Sequence, residues 1–123
     1  MEIEIRKRIK VTNEDIDDIM ATALEGGINY WCDKVAVVDK HLGEFASEQI
    51  SRNGKLKLYD AEEDETYELT LDKLLNGIRK AIEHDYFVDY GWFSGNGIDT
   101  CMVDAEVADV IIQLALFDDV IYG

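Results

Sequence analysis

Two short stretches of the sequence combine aromatic rings, amides and glycines, as a site for a flat polar ligand requires. One is INYWC, residues 28–32, and the other is YFVDYGWFSGNGID, residues 86–99. Aromatic planes beside amides suit a nucleobase-like heterocycle, although the same residue types also anchor protein interfaces. A third possibility is that Trp31 belongs to the core and Trp92 covers a loop. The candidate ligand-binding residues of these stretches are Asn29, Tyr30, Trp31, Trp92 and Asn96.

A basic stripe near the N-terminus supplies the charge that such a ligand's phosphates would require. Residues 2–11, EIEIRKRIKV, alternate between apolar and polar side chains, which predicts a strand with one face in water. Arg6, Arg8 and Lys10 share the polar face of this segment. We therefore expect Arg6 and Arg8 to meet phosphate groups.

No residue pattern typical of catalysis or metal binding occurs. Residues 60–64 carry alternate carboxylates, but Glu65 stands where a calcium loop requires glycine. His41 and His84 have no second ligand at metal spacing. The GNG of residues 95–97 has no lysine after it, unlike a phosphate loop. These observations predict a protein that is not an enzyme and that uses no cofactor and no metal.

The formal net charge of −15 is distributed unevenly along the chain. No lysine or arginine follows Lys80, whereas acidic residues continue to Asp119. Most of such a surface repels nucleic acid and anionic membranes, and it can attract a basic protein or simply maintain solubility. No apolar run approaches the roughly 20 residues of a membrane span, and the first residues are not those of a secretory signal. We expect a cytoplasmic protein that binds neither membrane nor nucleic acid directly.

Periodicity predicts a single α+β domain over residues 1–123, with an antiparallel or mixed sheet and about three helices packed on it. A helix is expected after Thr12 or Asn13 and should end at Gly26 or Gly27 in the left-handed conformation. Leucines at alternate positions predict a hairpin of residues 55–60 and 66–70.

The remaining elements are less regular in sequence. Residues 34–39 are expected to form a short buried strand, and residues 71–84 a helix in which Gly77 marks close packing. A last helix from about Asp104 to Phe117 and a terminal strand of residues 119–123 complete the prediction. The two cysteines, Cys32 and Cys101, are expected to be small core residues without a disulfide.

Three segments resemble a family of short acidic proteins carried by phages and prophages of Gram-positive bacteria. These segments are IDDIMATALEGGINYWCDK, LKLYDAEEDETYELTLDKLL and IDTCMVDAEVADVIIQLALF, and the resemblance runs over most of the chain except residues 1–11. The family has no assigned enzymatic activity, so the resemblance transfers no functional residue. It implies the context of a mobile element, whose small accessory proteins often counter host defence.

Two functional hypotheses follow from these observations. The first is a non-enzymatic counter-defence protein that sequesters a small polar or nucleotide-like ligand in a pocket of a homo-oligomer. The second is an acidic nucleic-acid mimic that binds and inhibits a basic host defence protein. In the second, the carboxylates of the first helix and of the hairpin tip would make the contact: Glu14, Asp15, Asp17, Asp18 and Glu62 to Glu65.

Overall fold

The core of the protein is built around its last helix, whose sequence is apolar on every side. The computed structural model describes all 123 residues. This helix, α3, spans Ala105–Phe117, and every residue from Val107 to Ala115 in it is buried. A helix that is hydrophobic all round must be enclosed by other elements. Asp104 caps it by accepting a hydrogen bond from the Val107 N–H at 3.0 Å, so this helix lies where the sequence predicts it.

Two further helices and two small antiparallel sheets enclose α3. The bounds, in chain order, are α1 Asn13–Thr22, β1 Cys32–Val38, β2 Lys55–Asp60, β3 Thr66–Leu69, α2 Leu71–Glu83, β4 Phe93–Ser94 and β5 Gly97–Ile98. Strands β1, β2 and β3 form one sheet in that order, and β4 and β5 form a separate ribbon. The predicted α+β class, with three helices and antiparallel sheet, is confirmed. None of the helices is both long enough and apolar enough to cross a membrane.

The hairpin of β2 and β3 has the register that its leucines predict. Leu56 pairs with Leu69, and Leu58 pairs with Tyr67. The three leucines are fully buried and form the inner face of the sheet. Strand β1 pairs with β2 on the other side, so the strand expected at residues 34–39 is present, but it is only partly covered and the expectation that it is buried is wrong.

Helix α1 begins as predicted but ends differently. Thr12 and Asp15 form a capping box, in which each side chain accepts a hydrogen bond from the other residue's backbone N–H. The chain then continues into a wider π-helical turn, Ala23–Gly27, and neither Gly26 nor Gly27 has a positive φ. The prediction that this helix ends at a glycine in the left-handed conformation is therefore wrong. Glycine is needed at position 27 for space, because a Cβ there would lie 2.9 Å from the Ala105 carbonyl oxygen.

Three other expectations also fail. Residues 1–11 lie alongside α2 but form no strand, and residues 119–123 form none either. Alternation of side chains favours a strand only where a sheet edge is available for hydrogen bonding, and no strand of this chain pairs with either segment. Of the two cysteines, Cys32 is buried as expected, but Cys101 is exposed because it lies in a short 3-10 turn, Thr100–Met102.

Candidate functional site

Trp31, the centre of the first aromatic stretch, lies inside the protein with 2% of its surface exposed. Its ring stacks in parallel on Tyr122, with ring centroids 4.9 Å apart and planes within 2°. Its indole Nε1 donates a hydrogen bond to Asp109 at 2.8 Å. The chain's own tyrosine therefore takes one stacking face of Trp31, and its own carboxylate takes the indole N–H.

Trp92, from the second stretch, is fully buried in a different part of the core. Its Nε1 donates to the Tyr86 carbonyl oxygen at 2.8 Å, and Phe93 packs edge-on against its ring. No hydrogen bond or ring contact joins Trp92 to Trp31. Asn29 and Asn96 are exposed, and neither side-chain amide makes a hydrogen bond within the chain. The structure therefore does not bring the aromatic and amide candidates together at one surface.

A buried carboxylate organises the surroundings of Trp31. Asp109 accepts hydrogen bonds from the Tyr30 hydroxyl at 2.5 Å, from Trp31, and from the Gln113 amide at 2.9 Å. The Gln113 side-chain oxygen in turn accepts hydrogen bonds from the backbone N–H groups of Ile121 and Tyr122, both at 2.8 Å. Desolvation and the hydrogen bond to Asp109 raise the pKa of Tyr30 to about 12. This network holds the last residues of the chain against α3.

A second carboxylate, Asp60, lies at the end of β2 and completes the cluster. It accepts hydrogen bonds from the hydroxyls of Tyr122 and Tyr67 and from the backbone N–H groups of Glu62 and Glu63. The bond from Tyr122 contributes most to lowering the pKa of Asp60 to about 2, and the same bond raises the pKa of Tyr122. All these groups have partners within the chain, so the cluster is a structural anchor rather than an open site.

The Asp60 interactions make the stability of the fold sensitive to acid. A carboxylate whose folded-state pKa lies below its ordinary value stabilises the fold above the ordinary value, and that contribution is lost as the pH falls through the folded value. For Asp60 this window runs from its ordinary 3.8 down to about 2. We expect the free energy of unfolding to fall more steeply in this window for the parent than for Asp60→Asn, measured by urea titration. The exposed Asp33→Asn is the control, and equal slopes for parent and Asp60→Asn would contradict the assignment.

An open cleft of about 870 Å³ lies between residues 1–11 and α2. Its apolar wall comes from Ile78 and Ile82 of α2 and from Phe93 of β4. Three cationic side chains line it, Arg6, Lys7 and Arg79, together with the two carboxylates Glu83 and Asp85. In a chain with a net charge of −15, this is a place where positive side chains outnumber negative ones.

The cleft collects parts of both sequence-predicted regions. Arg6 of the basic stripe lines it, and so do Phe93, Ser94 and Gly95 of the second aromatic stretch. Arg8 does not line it and is exposed to solvent. Tyr30, with 55% of its surface exposed, belongs to the Asp109 network instead. Phe93 therefore takes the position at the cleft that the sequence suggested for Trp92.

The chemistry available in the cleft is that of binding. Arg79 is held in place by two hydrogen bonds of 2.9 Å to Glu83, and Lys7 makes no ion pair or hydrogen bond within the chain. An ammonium group, a guanidinium group and the Ser94 hydroxyl beside an aromatic ring suit an amphipathic anion. No group of three or more His, Cys, Asp or Glu side chains is placed to hold a metal ion.

Sequence reasoning missed four residues that the structure makes prominent. Asp109 and Gln113 are polar residues four apart in a helix whose other residues after Glu106 are all apolar, a pattern that indicates a buried hydrogen-bonded pair. Lys7 interrupts the apolar positions of residues 3–11 and shares their parity, which places it on the side of the cleft. Arg79 carries no comparable signal, because its role depends on which segment packs beside α2.

No protein-family model, no curated protein and no solved structure matches this chain.

Proposed function

We propose that this chain is a non-enzymatic binding protein that captures a small polar anion, of the kind that a nucleotide represents, in the cleft between residues 1–11 and α2. In the context suggested by the resemblance to phage and prophage proteins, such capture would remove a host defence signal in the cytoplasm. The observation that carries the proposal is the cleft itself, because it joins cations to an apolar aromatic wall in an otherwise acidic protein.

Each wall of the cleft would meet a different part of the ligand. A heterocycle would pack on Phe93 and the isoleucines of α2, since flat rings gain most from apolar and aromatic contact. Its phosphate would meet Lys7 and Arg79, two of the three cationic side chains that line the cleft. Trp92 would support the site from the core through its contact with Phe93, and neither tryptophan would touch the ligand.

Native mass spectrometry of protein purified from infected, defence-active cells tests this proposal. We expect an added mass of a small molecule, which is released on denaturation. In Lys7→Gln with Arg79→Gln, occupancy should fall roughly tenfold or more, because two charge-assisted hydrogen bonds, each contributing about 1.5–3 kcal/mol, are lost. Lys40→Gln with Lys55→Gln makes the same charge change away from the cleft and should retain the ligand. Bare protein in every sample would contradict capture.

The acidic decoy is the second candidate, and one observation favours it. Every residue of the hairpin tip from Ala61 to Thr66 is exposed, and four consecutive residues there are acidic. On α1, by contrast, Asp15 belongs to the capping box, Asp17 accepts from Ser51, and Asp18 accepts from Thr100. Of the two acidic regions in the decoy hypothesis, the hairpin tip is therefore the more available for binding a basic partner.

Protection of an infecting phage from host defence separates the two candidates. Glu62→Lys with Glu63→Lys and Asp64→Lys should abolish protection by a decoy, because attraction to a basic partner is a sum of charges. The same variant should leave ligand capture intact. The Lys7 and Arg79 double variant should show the opposite pattern.

A further inference from the structure

Residues 1–11, here called the arm, have the sequence of a strand but no strand to pair with. No backbone N–H or carbonyl of the arm makes a backbone hydrogen bond. None of its six charged side chains forms an ion pair or a side-chain hydrogen bond. Ile3 and Ile5 remain 85% and 69% exposed. An extended segment in this state is a template for pairing with another strand.

The arm is anchored only at its C-terminal end. Val11 packs against the core, and Ile9 is half-buried. Ile5, Ile9 and Val11 line the cleft beside α2, so the apolar edge of the arm faces the body of the protein. Residues 1–8 are all exposed. The arm is thus positioned with a free backbone and with its charged positions in water.

We propose that the arm pairs in antiparallel fashion with the arm of a second copy, so that two chains form a dimer about a two-fold axis at Arg6. The charge order of the arm is the reason. Its first half is acidic, at Glu2 and Glu4, and its second half is basic, at Arg8 and Lys10. An antiparallel pair brings the acidic half of each copy opposite the basic half of the other.

The register follows from the charges and from parity. Opposed residues of an antiparallel pair point to the same face, so odd positions must oppose odd ones if the apolar face is to stay continuous. Centring the pair at Arg6 sets Glu2 against Lys10 and Glu4 against Arg8, twice each by symmetry. It also sets Ile3 against Ile9 and Ile5 against Lys7. Moving the centre by one residue to Lys7 would set Arg6 against Arg8, which is repulsive. Moving it to Ile5 would keep two complementary pairs, Glu2 with Arg8 and Glu4 with Arg6, but would move Lys10 out of the paired segment.

A two-stranded ribbon is only marginally stable in water on its own. Here its apolar face has a surface to cover, because α2 leaves Leu75 39% exposed beside the cleft. Each opposite-charge cross-strand pair adds roughly 0.2–1 kcal/mol. Packing on α2 and four such pairs together favour a dimer.

Charge exchange tests the pairing directly, with mass measured by light scattering at tens of micromolar, a concentration at which weak dimers form. The parent should be a dimer. Glu2→Lys with Glu4→Lys makes the charged face of the arm wholly basic, and Arg8→Glu with Lys10→Glu makes it mainly acidic. Each double variant alone should weaken dimerisation at least tenfold. An equimolar mixture of the two should form a heterodimer, because all four pairs are complementary again.

The fourfold variant that carries both changes on one chain should recover the homodimer. Arg6→Gln should tighten it, since Arg6 opposes its own copy at the axis and like charges there are unfavourable. Glu62→Lys with Glu63→Lys, and Lys40→Glu with Lys55→Glu, are controls that make the same charge changes outside the arm. The exposure of residues 1–8 means that the arm variants should keep the parent's melting temperature.

A monomeric parent, double variants that dimerise like the parent, or a fourfold variant that stays monomeric would each overturn the proposal. Light scattering uses the protein without any nucleotide, so it tests the dimer independently of ligand capture. An empty cleft with an intact arm-dependent dimer would refute only ligand capture, and a ligand-bearing monomer would refute only the arm pairing.

Discussion

Asp109→Leu should lower the free energy of unfolding by about 2–5 kcal/mol, because each buried donor left without an acceptor costs about 1–3 kcal/mol. The indole N–H of Trp31, a residue only 2% exposed, would lose its acceptor in the core. The buried Gln113 amide would lose its shortest hydrogen bond and keep only longer ones, of 3.3 Å to the Tyr30 hydroxyl and 3.4 Å to the Tyr122 carbonyl oxygen. The Tyr30 hydroxyl, on a half-exposed side chain, can turn to water instead. Since whole-domain stability is commonly about 5–15 kcal/mol, the variant would be close to unfolding.

Urea titration measures this loss, and amide hydrogen exchange reports its cause. Gln113 is held by Asp109 and itself holds the N–H groups of Ile121 and Tyr122. Exchange at these two amides should therefore accelerate more in Asp109→Leu than the global loss of stability explains. Glu106→Leu, an exposed carboxylate on the same helix, should stay within about 1 kcal/mol of the parent. A stable Asp109→Leu with unchanged exchange would show that the network does not anchor the chain end.

The elements that sequence predicts well are those whose signals are local. The capping threonines, the leucines of the hairpin and the periodicity of α2 all specify their elements through neighbours within a few residues. The sequence also indicates close packing at Gly77, since a glycine inside a strongly amphipathic helix indicates close approach of another element.

The elements that sequence predicts poorly depend on partners far along the chain. Residues 2–11 alternate as a strand does, but alternation cannot reveal whether an edge exists within the same chain. The left-handed conformation at the double glycine was inferred from the commonest helix ending, whereas the close approach of α3 at Gly27 is what needs glycine there.

The candidate site shows the same division between local and distant information. Aromatic, amide and glycine residues close in sequence suggested one surface, yet Trp31 and Trp92 are both buried and lie apart. Burial of a large aromatic side chain stabilises the fold, so glycines nearby in the sequence do not bring such a side chain to the surface. The cleft instead combines the arm, α2 and β4, three segments whose packing no local pattern encodes.

Helix α2 packs closely on α3 where the two helices cross at Gly77. A Cβ on this glycine would lie 2.4 Å from the Ile111 carbonyl oxygen and 2.8 Å from the Ala115 Cβ. Both distances are shorter than atoms can approach, and the first involves backbone in the buried centre of α3. Gly77→Ala should therefore lower the free energy of unfolding by about 2–3 kcal/mol, although alanine favours a helix over glycine by about 1 kcal/mol. Gly77→Val should lower it further.

Urea unfolding of a double-mutant cycle tests whether the crossing is the cause. Ala115→Gly removes one of the three obstructing atoms, the Ala115 Cβ, so the loss from Gly77→Ala should be smaller in that background, with a coupling of at least about 0.5 kcal/mol. Rescue should be partial, because the Ile111 carbonyl remains. Gly26→Ala is the matched control, since a Cβ there meets nothing within 4 Å and the residue's φ is not positive. It should be neutral or stabilising by up to about 1 kcal/mol. Equal effects of alanine at positions 26 and 77 would mean that backbone freedom, and not the helix crossing, explains the glycine.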